Sequence, residues 1–260
     1  MSKKLFCLFT AVLLLGLFVF SSASVTSKAA AAGKGKTTTL DTDPNLVGWW
    51  KFDETSGKTA KDSSKHKRNG VLKGEFSFDK ASVEGKIGKA LKFDGGEDLV
   101  EITKYKGISG THARTVSAWI KTKNTRGEII SWGADDFGQM FTYTHIRGRI
   151  GLTPSGGYYY INDMSNDDKW HHMAIVVLEA ELPNLHDHVR LYKNGEIAEI
   201  HDIGLLDLWP IKTGKEIDVR IGRQYNGLID DLRIYDRPLT DDEVKAVFKL
   251  KSSEPLEKAK

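Results

Sequence analysis

Two carboxylates stand two places apart in Gly214-Lys215-Glu216-Ile217-Asp218-Val219-Arg220-Ile221-Gly222. On a strand, residues i and i+2 share a face, so Glu216 and Asp218 would point one way and Ile217 and Val219 the other. Paired carboxyl groups can cleave glycosides when they sit roughly 5–5.5 Å apart, one as nucleophile and one as acid/base. A strand built for that chemistry needs a second Glu further along. Here Val219 is followed by Arg220, Ile221 and Gly222, and the next carboxylate, Asp230, lies beyond a loop. The pair reads as a solvated strand face, and the chain as non-catalytic. No GxSxG elbow, phosphate loop or Ser-His-Asp order is present. The histidines are scattered without zinc-like spacing.

Other residues suit binding. Gly156-Gly157-Tyr158-Tyr159-Tyr160 places Tyr158 and Tyr160 on one strand face and Tyr159 on the other. Aromatic faces stack on sugar rings, and a tyrosine adds a hydroxyl. Trp209, beside Pro210, offers a second platform. The alternative is cross-strand packing, which aromatics also favour. Asp135-Asp136 and the Asn162–Asp168 segment are acidic loop clusters, each readable as a cation or ligand contact through residues such as Asp135, or as turn residues. Ile229-Asp230-Asp231-Leu232 sets two acids in an otherwise apolar strand. A buried carboxylate needs a partner; Arg233 can serve Asp231, and Asp230 calls for a cation or a salt bridge.

The elements that must position these groups are strands. From Leu46 to Tyr235, short apolar runs recur between Gly, Asn and Asp clusters. Val116, Ala118 and Ile120 alternate with Ser117, Trp119 and Lys121, the period of a half-buried strand. Lys193-Asn194-Gly195-Glu196 marks a two-residue hairpin turn. With no long helical pattern between strands, an antiparallel sandwich is expected. One helix is expected near the C-terminus. Thr240 and Glu243 form a capping box, Asp241 and Asp242 suit the positive N-terminus, and Val244, Val247 and Phe248 share a face. That helix is expected to close one edge of the sandwich.

The flanks differ in character. Lys3 and Lys4, the apolar run Leu5–Phe20 and the small residues Ser21 to Ala23 predict a secretory signal over 1–23. Residues 24–44, rich in Ala, Gly, Lys, Ser and Thr, predict a linker, and residues 251–260 a polar tail. The only cysteine, Cys7, falls inside the signal, so a secreted domain over 45–250 has no disulfide to rely on. The net charge of +3 is concentrated in the flanks. A near-neutral domain carries no footprint for nucleic acid, and no membrane span is expected once the signal is cleaved.

Six phrases then fall in a familiar order: LVGWWKFDETSGKTAKDSS, GKIGKALKFDGGEDLVEI, TVSAWIKT, KWHHMAIVV, LYKNGEI and GLIDDLRIYDRPLTDDEV. Together they resemble the concanavalin A-like jelly roll of the laminin-G-like superfamily, in its bacterial secreted form. The resemblance implies an all-β, antiparallel, two-sheet jelly roll with one short C-terminal helix. It also implies a structural Ca²⁺ held by Asp230 and Asp53, with Asn69 the side-chain candidate from the following loop. The basic Lys65-His66-Lys67-Arg68 within that loop departs from the commoner Gly-Asn-rich form. The function implied is a secreted binding module for a glycan or polysaccharide, or alternatively an adhesive domain for a cell-surface protein. A divergent glycoside hydrolase is a third reading, opposed by the missing Glu.

Overall fold

The computed structural model describes residues 39–201 and 209–250. The expected signal over 1–23, residues 24–38 of the expected linker and the expected tail over 251–260 lie outside the described residues. The strands form two antiparallel sheets of eight strands each. The first runs, in spatial order, through Glu196–Ile197, Val189–Lys193, His171–Val177, Arg114–Lys121, Asn226–Tyr235, Lys89–Asp94 and Ser82–Glu84, with Leu46–Trp50 also paired to the 226–235 strand. The second runs through Tyr159–Tyr160, Arg149–Thr153, Met140–Ile146, Arg126–Gly133, Ile217–Ile221, Val100–Ile102, Gly70–Leu72 and Thr59–Ala60. The all-β jelly-roll expectation is met.

Between the sheets lies one apolar core, which includes Trp50, Phe52, Phe93, Trp132, Phe141, Tyr143, Ile229 and Leu232. Alternation delivers these side chains: Val116, Ala118 and Ile120 enter the core, as predicted, while Ser117 and Trp119 face away. Trp49 and Trp50, adjacent in sequence, enter different clusters on opposite sides of the first sheet.

Part of the first sheet is apolar on both faces. Met173, Ile175 and Val177 point into the sandwich, whereas Ala174 and Val176 point out. Those outward residues need cover, and the helix Asp241–Lys249 supplies it. Val244 and Val247 pack with Leu46, Trp49, Ala174, Val176, Tyr192 and Tyr235. This corrects the expectation of an edge closure: the helix lies over a sheet face, because the strands beneath it carry apolar residues at outward positions. Its capping box forms, with Thr240 Oγ1 accepting from Glu243 N and Glu243 accepting from Thr240 N.

The linker expectation is corrected at its C-terminal end. Residues 40–42 form a turn of 3-10 helix, and Leu40 packs against the cluster beneath the terminal helix. Asp41 pairs with Arg233 at 2.5 Å, and Asp43 pairs with Arg237. Two carboxylates with buried or half-buried arginine partners hold this segment down, which polar composition alone could not reveal.

The Asn226–Tyr235 strand changes partner halfway. Its first residues pair with Lys89–Asp94, its last with Leu46–Trp50. At the junction the register against Arg114–Lys121 shifts between Asp230 and Arg233, and Asp231 takes a positive φ of 47°. This is a β-bulge, and Asp tolerates that conformation better than most residues. Without it, alternation after inward Ile229 would send Asp231 into the core and Leu232 out. The extra residue lets both acids avoid the core while Leu232 enters it.

Asp231 then meets Arg233 at 3.0 Å and accepts the Trp49 indole N–H at 2.5 Å. The Arg233 guanidinium, 2% exposed, also lies 4.2 Å from the Trp49 ring centroid. Removing one partner of a buried pair leaves a charge uncompensated, at about 3–5 kcal/mol. Arg233→Met should therefore cost about 3–5 kcal/mol in urea unfolding, and adding Asp231→Asn should recover part of it. A cost under about 1 kcal/mol, the range of surface pairs, would show that this cluster does not hold the first strand to the last.

Candidate functional site

The aromatic end of the second sheet is built from three segments. The turn between strands 126–133 and 140–146 carries Asp135, Asp136 and Phe137. The segment after strand 149–153 carries Gly156 to Tyr160, and Trp209 precedes Pro210. Hydrogen bonds join them: Gly138 N to Ser155 O at 3.0 Å, Met140 N to Pro154 O at 3.2 Å and Lys212 N to Gly138 O at 2.8 Å. The Asp136 carboxylate fixes its own turn by accepting from Phe137 N and Gln139 Nε2, both at 2.8 Å.

Two pairs of stacked rings result. Tyr158 and Tyr160 lie 6.0 Å apart at 24°, with Tyr158 49% exposed. They share a face as expected, while Tyr159 joins the core. Tyr160 is half-buried, and its hydroxyl is enclosed without a hydrogen-bond partner. Phe137 and Trp209 lie 5.6 Å apart at 8°, 58% and 45% exposed. Gly156, at φ +83°, passes beneath this second pair. A Cβ there would come within 2.6 Å of Phe137 and 3.0 Å of Trp209. Phe137 was not expected from the sequence. Its signal was a lone aromatic in an acidic turn, but its partner Trp209 lies far along the chain. Asp135 is exposed at the same turn, and its charge acts on Arg220.

The outer face of the second sheet is polar. Val219 and Ile221 enter the core, so Asp218 and Arg220 face out. Asp218 is bound by the Lys106 ammonium at 2.7 Å and by Lys104 N at 2.9 Å. Burial raises its pKa, but these partners outweigh burial and hold the carboxyl below the usual range. Glu216 lies exposed, one residue before the strand. Asp230 faces outward from the other sheet. Stacked sheets are about 10 Å apart, so Asp218 and Asp230 cannot approach the roughly 5 Å of a retaining pair. Two carboxylates near Arg220 were not singled out in the sequence. Glu101 pairs with Lys73 at 2.9 Å, and Glu128 with Arg223 at 2.6 Å.

At the bulge, the structure brings Asp230 and Asp53 into each other's field. Asp230 is fully buried. Its Oδ2 accepts from Lys86 N and Ile87 N, both at 2.8 Å, and its Oδ1 is enclosed with no partner. Asp53 Oδ1 accepts from Lys89 N at 2.8 Å. Gly88 presses on Asp53 so closely that a Cβ would lie 2.3 Å from Oδ1. The turn 85–88 thus wraps both carboxylates.

Asn69 is not brought there by any hydrogen bond. Its Oδ1 accepts from Asp62 N at 3.0 Å. The buried Asp62 in turn accepts from Trp49 N, Ser64 N, Ser64 Oγ and Arg68 N. The loop Asp62–Gly70 is therefore organised around its own carboxylate. Among the described residues, no three His, Cys, Asp or Glu side chains converge on one point. The orphaned Asp230 oxygen and the Asp53 carboxylate suit a hard cation. The rest of an oxygen shell would come from carbonyls and water.

The sequence model of the concanavalin A-like lectin/glucanases superfamily, in its laminin-G form, matches residues 94–245. The chain belongs to this superfamily. Among solved structures, this laminin-G-like chain is similar to domain 4 of the extracellular GH43 arabinanase AbnA of Geobacillus stearothermophilus, solved in complex with arabinotriose. They share 21% identity at a TM-score of 0.59, over 79% of this chain and 98% of that one. It is also similar to the binding domain of botulinum neurotoxin serotype G, at 16% identity and a TM-score of 0.52. That match covers 78% of this chain and 50% of the toxin domain, so the laminin-G-like chain spans about half of its length. These likenesses establish the fold. No curated protein sequence matches the chain.

Burial pushes the Asp230 carboxyl up to about 8; the Ile87 and Lys86 N–H groups oppose the rise, while Asp231 and Asp53 add to it. An unfolded Asp titrates near about 3.9. Between those values the folded state keeps a proton that the unfolded state has lost. Stability therefore falls as pH rises from about 4 to about 8 and levels off above. In chelator, the melting temperature should drop from pH 5 to pH 8. Asp230→Asn, which keeps an oxygen for Lys86 N and Ile87 N, should flatten that slope. An unchanged slope in the variant would remove Asp230 as its source.

Proposed function

We propose that this domain is a non-catalytic, exported glycan-binding module whose ligand end is formed by Tyr158, Tyr160, Trp209 and Asp135, with Phe137 completing the platform. The observation that carries the reading is the pair of stacked, solvent-facing aromatic platforms held on three hydrogen-bonded segments. Exposed rings on a rigid sheet end present flat apolar faces to the C–H faces of sugars, while Asp135 and the Tyr158 hydroxyl offer polar contacts. The similarity to an arabinanase domain solved with arabinotriose supports the class of ligand. Export rests on the N-terminal signal pattern; no helix of the described residues is long and apolar enough to cross a membrane.

A structural Ca²⁺ belongs to the same reading. Asp230 and Asp53 would hold it, joining the bulge to the loop after the first strand. A bound cation would also keep Asp230 ionised at neutral pH. Calcium at about one hundred times its Kd would add about 2.7 kcal/mol of stability, and Asp230→Asn should abolish that gain. No calcium-dependent shift in melting at pH 8 would sink the metal assignment.

The binding test is retention of the mature domain on a panel of insoluble and immobilised polysaccharides, arabinan among them, with Ca²⁺ present. Retention on one class and release by its free oligosaccharide are expected. Tyr158→Ala with Tyr160→Ala should weaken binding by at least about tenfold, about 1.4 kcal/mol, in protein that still unfolds cooperatively. Full binding by that variant would move the site elsewhere. Retention on no polysaccharide by folded protein would favour the adhesive reading, with a cell-surface protein as partner.

A further inference from the structure

A groove of about 450 Å³ opens on the first sheet, lined by Val83, Lys92, Lys121, Lys123, Asn226 and Leu228, with Glu84 and Asp168 also at its wall. It is distinct from the aromatic end, which sits on the other sheet. Strand alternation makes this groove. Leu91, Phe93, Ile120 and Ile229 all enter the core, so Lys92, Lys121 and Leu228 point outward. The register places Leu228 opposite Lys92 on one side and opposite Lys121 on the other. Two lysines therefore flank one leucine across three adjacent strands, with backbones about 9.6 Å apart at the usual strand spacing.

The charges in this groove are unevenly used. Lys123 meets Asp168 at 3.2 Å. Lys92 and Lys121 make no ion pair or hydrogen bond among the described residues. Lys86, on the neighbouring turn, is committed to the Trp119 ring at 5.0 Å. Glu84 stands opposite Lys89 in register. Lysine stems lie along apolar surface while their ammonium groups stay at the water boundary. Two uncommitted lysines thus flank an apolar floor of Leu228 and Val83.

We infer that this groove binds an acidic sugar unit, a uronate within a polysaccharide. Its carboxylate would lie between the Lys92 and Lys121 ammonium groups, and its ring C–H face against Leu228 and Val83. A lysine is a compact point charge that accepts a carboxylate from many directions, which suits a ring presented by a flexible chain. A nucleic acid would need a longer basic stripe than two free lysines provide. This inference rests on the reading of the domain as a glycan module, but it assigns a separate site and makes the ligand anionic.

The test is calorimetric titration of the full chain with oligogalacturonate and with its fully methyl-esterified form, which keeps the rings and removes the charge. Binding of the acid, weakened at least tenfold by esterification and by Lys92→Gln with Lys121→Gln, is the expected result. Added salt should weaken it further. The glutamine variant keeps most of each stem, and its melting temperature should match that of the parent. Equal binding of acid and ester, or undiminished binding by the lysine variant, overturns the site. No binding of oligogalacturonate, with a neutral polysaccharide still held through Tyr158 and Tyr160, overturns the groove and leaves the module reading intact. Binding of neither overturns both.

Discussion

Burying a guanidinium is costly unless its charge and its donors are met, and Arg233 is met from three directions. Asp231 lies beside it on the same strand, Asp41 reaches it from the N-terminal segment, and the Trp49 ring covers its face. The bulge at Asp231 makes this possible, because it turns the acid away from the core and leaves Leu232 to fill the inward position. The same bulge marks the point where the last long strand exchanges one partner strand for another. It also sets Asp230 under the turn 85–88. The closure of the sandwich and the candidate cation position thus depend on a single extra residue.

The two sheets divide the work of the domain. The first is apolar on both faces over much of its area, and the terminal helix buries part of its outer surface. The second sheet keeps its outer face polar, with Asp218, Glu101 and Glu128 each held by a cation. The aromatic platforms sit at the end of that sheet, on its connecting segments and its short edge strand Tyr159–Tyr160. Membership of the superfamily establishes the frame alone; function resides in the side chains placed on it.

Much of the frame was legible because its signals are local. The alternation in Val116–Lys121, the Asn194-Gly195 turn and the Thr240–Glu243 capping box each depend on a few neighbouring residues, and each appears as read. The Tyr158/Tyr160 face was legible for the same reason. Phe137 was not, since its stacking partner Trp209 is brought to it only by the fold. Asn69 was read as a cation ligand through the family resemblance, but Asp62 gathers that loop around itself.

By itself, the sequence determined the strand class, the antiparallel pairing, the position of the helix along the chain and the sidedness of regular strands such as Arg114–Lys121. Those properties follow from backbone periodicity and turn chemistry, which act over a few residues. Tertiary structure alone decided that the helix covers a sheet face and that residues 39–44 belong to the folded domain. It also decided that Asp230 and Asp53 share a field, and that two free lysines flank Leu228 across three strands. Each of these depends on which distant segment supplies the partner for a buried charge or an exposed apolar side chain. That is settled by packing between segments, which local patterns do not encode.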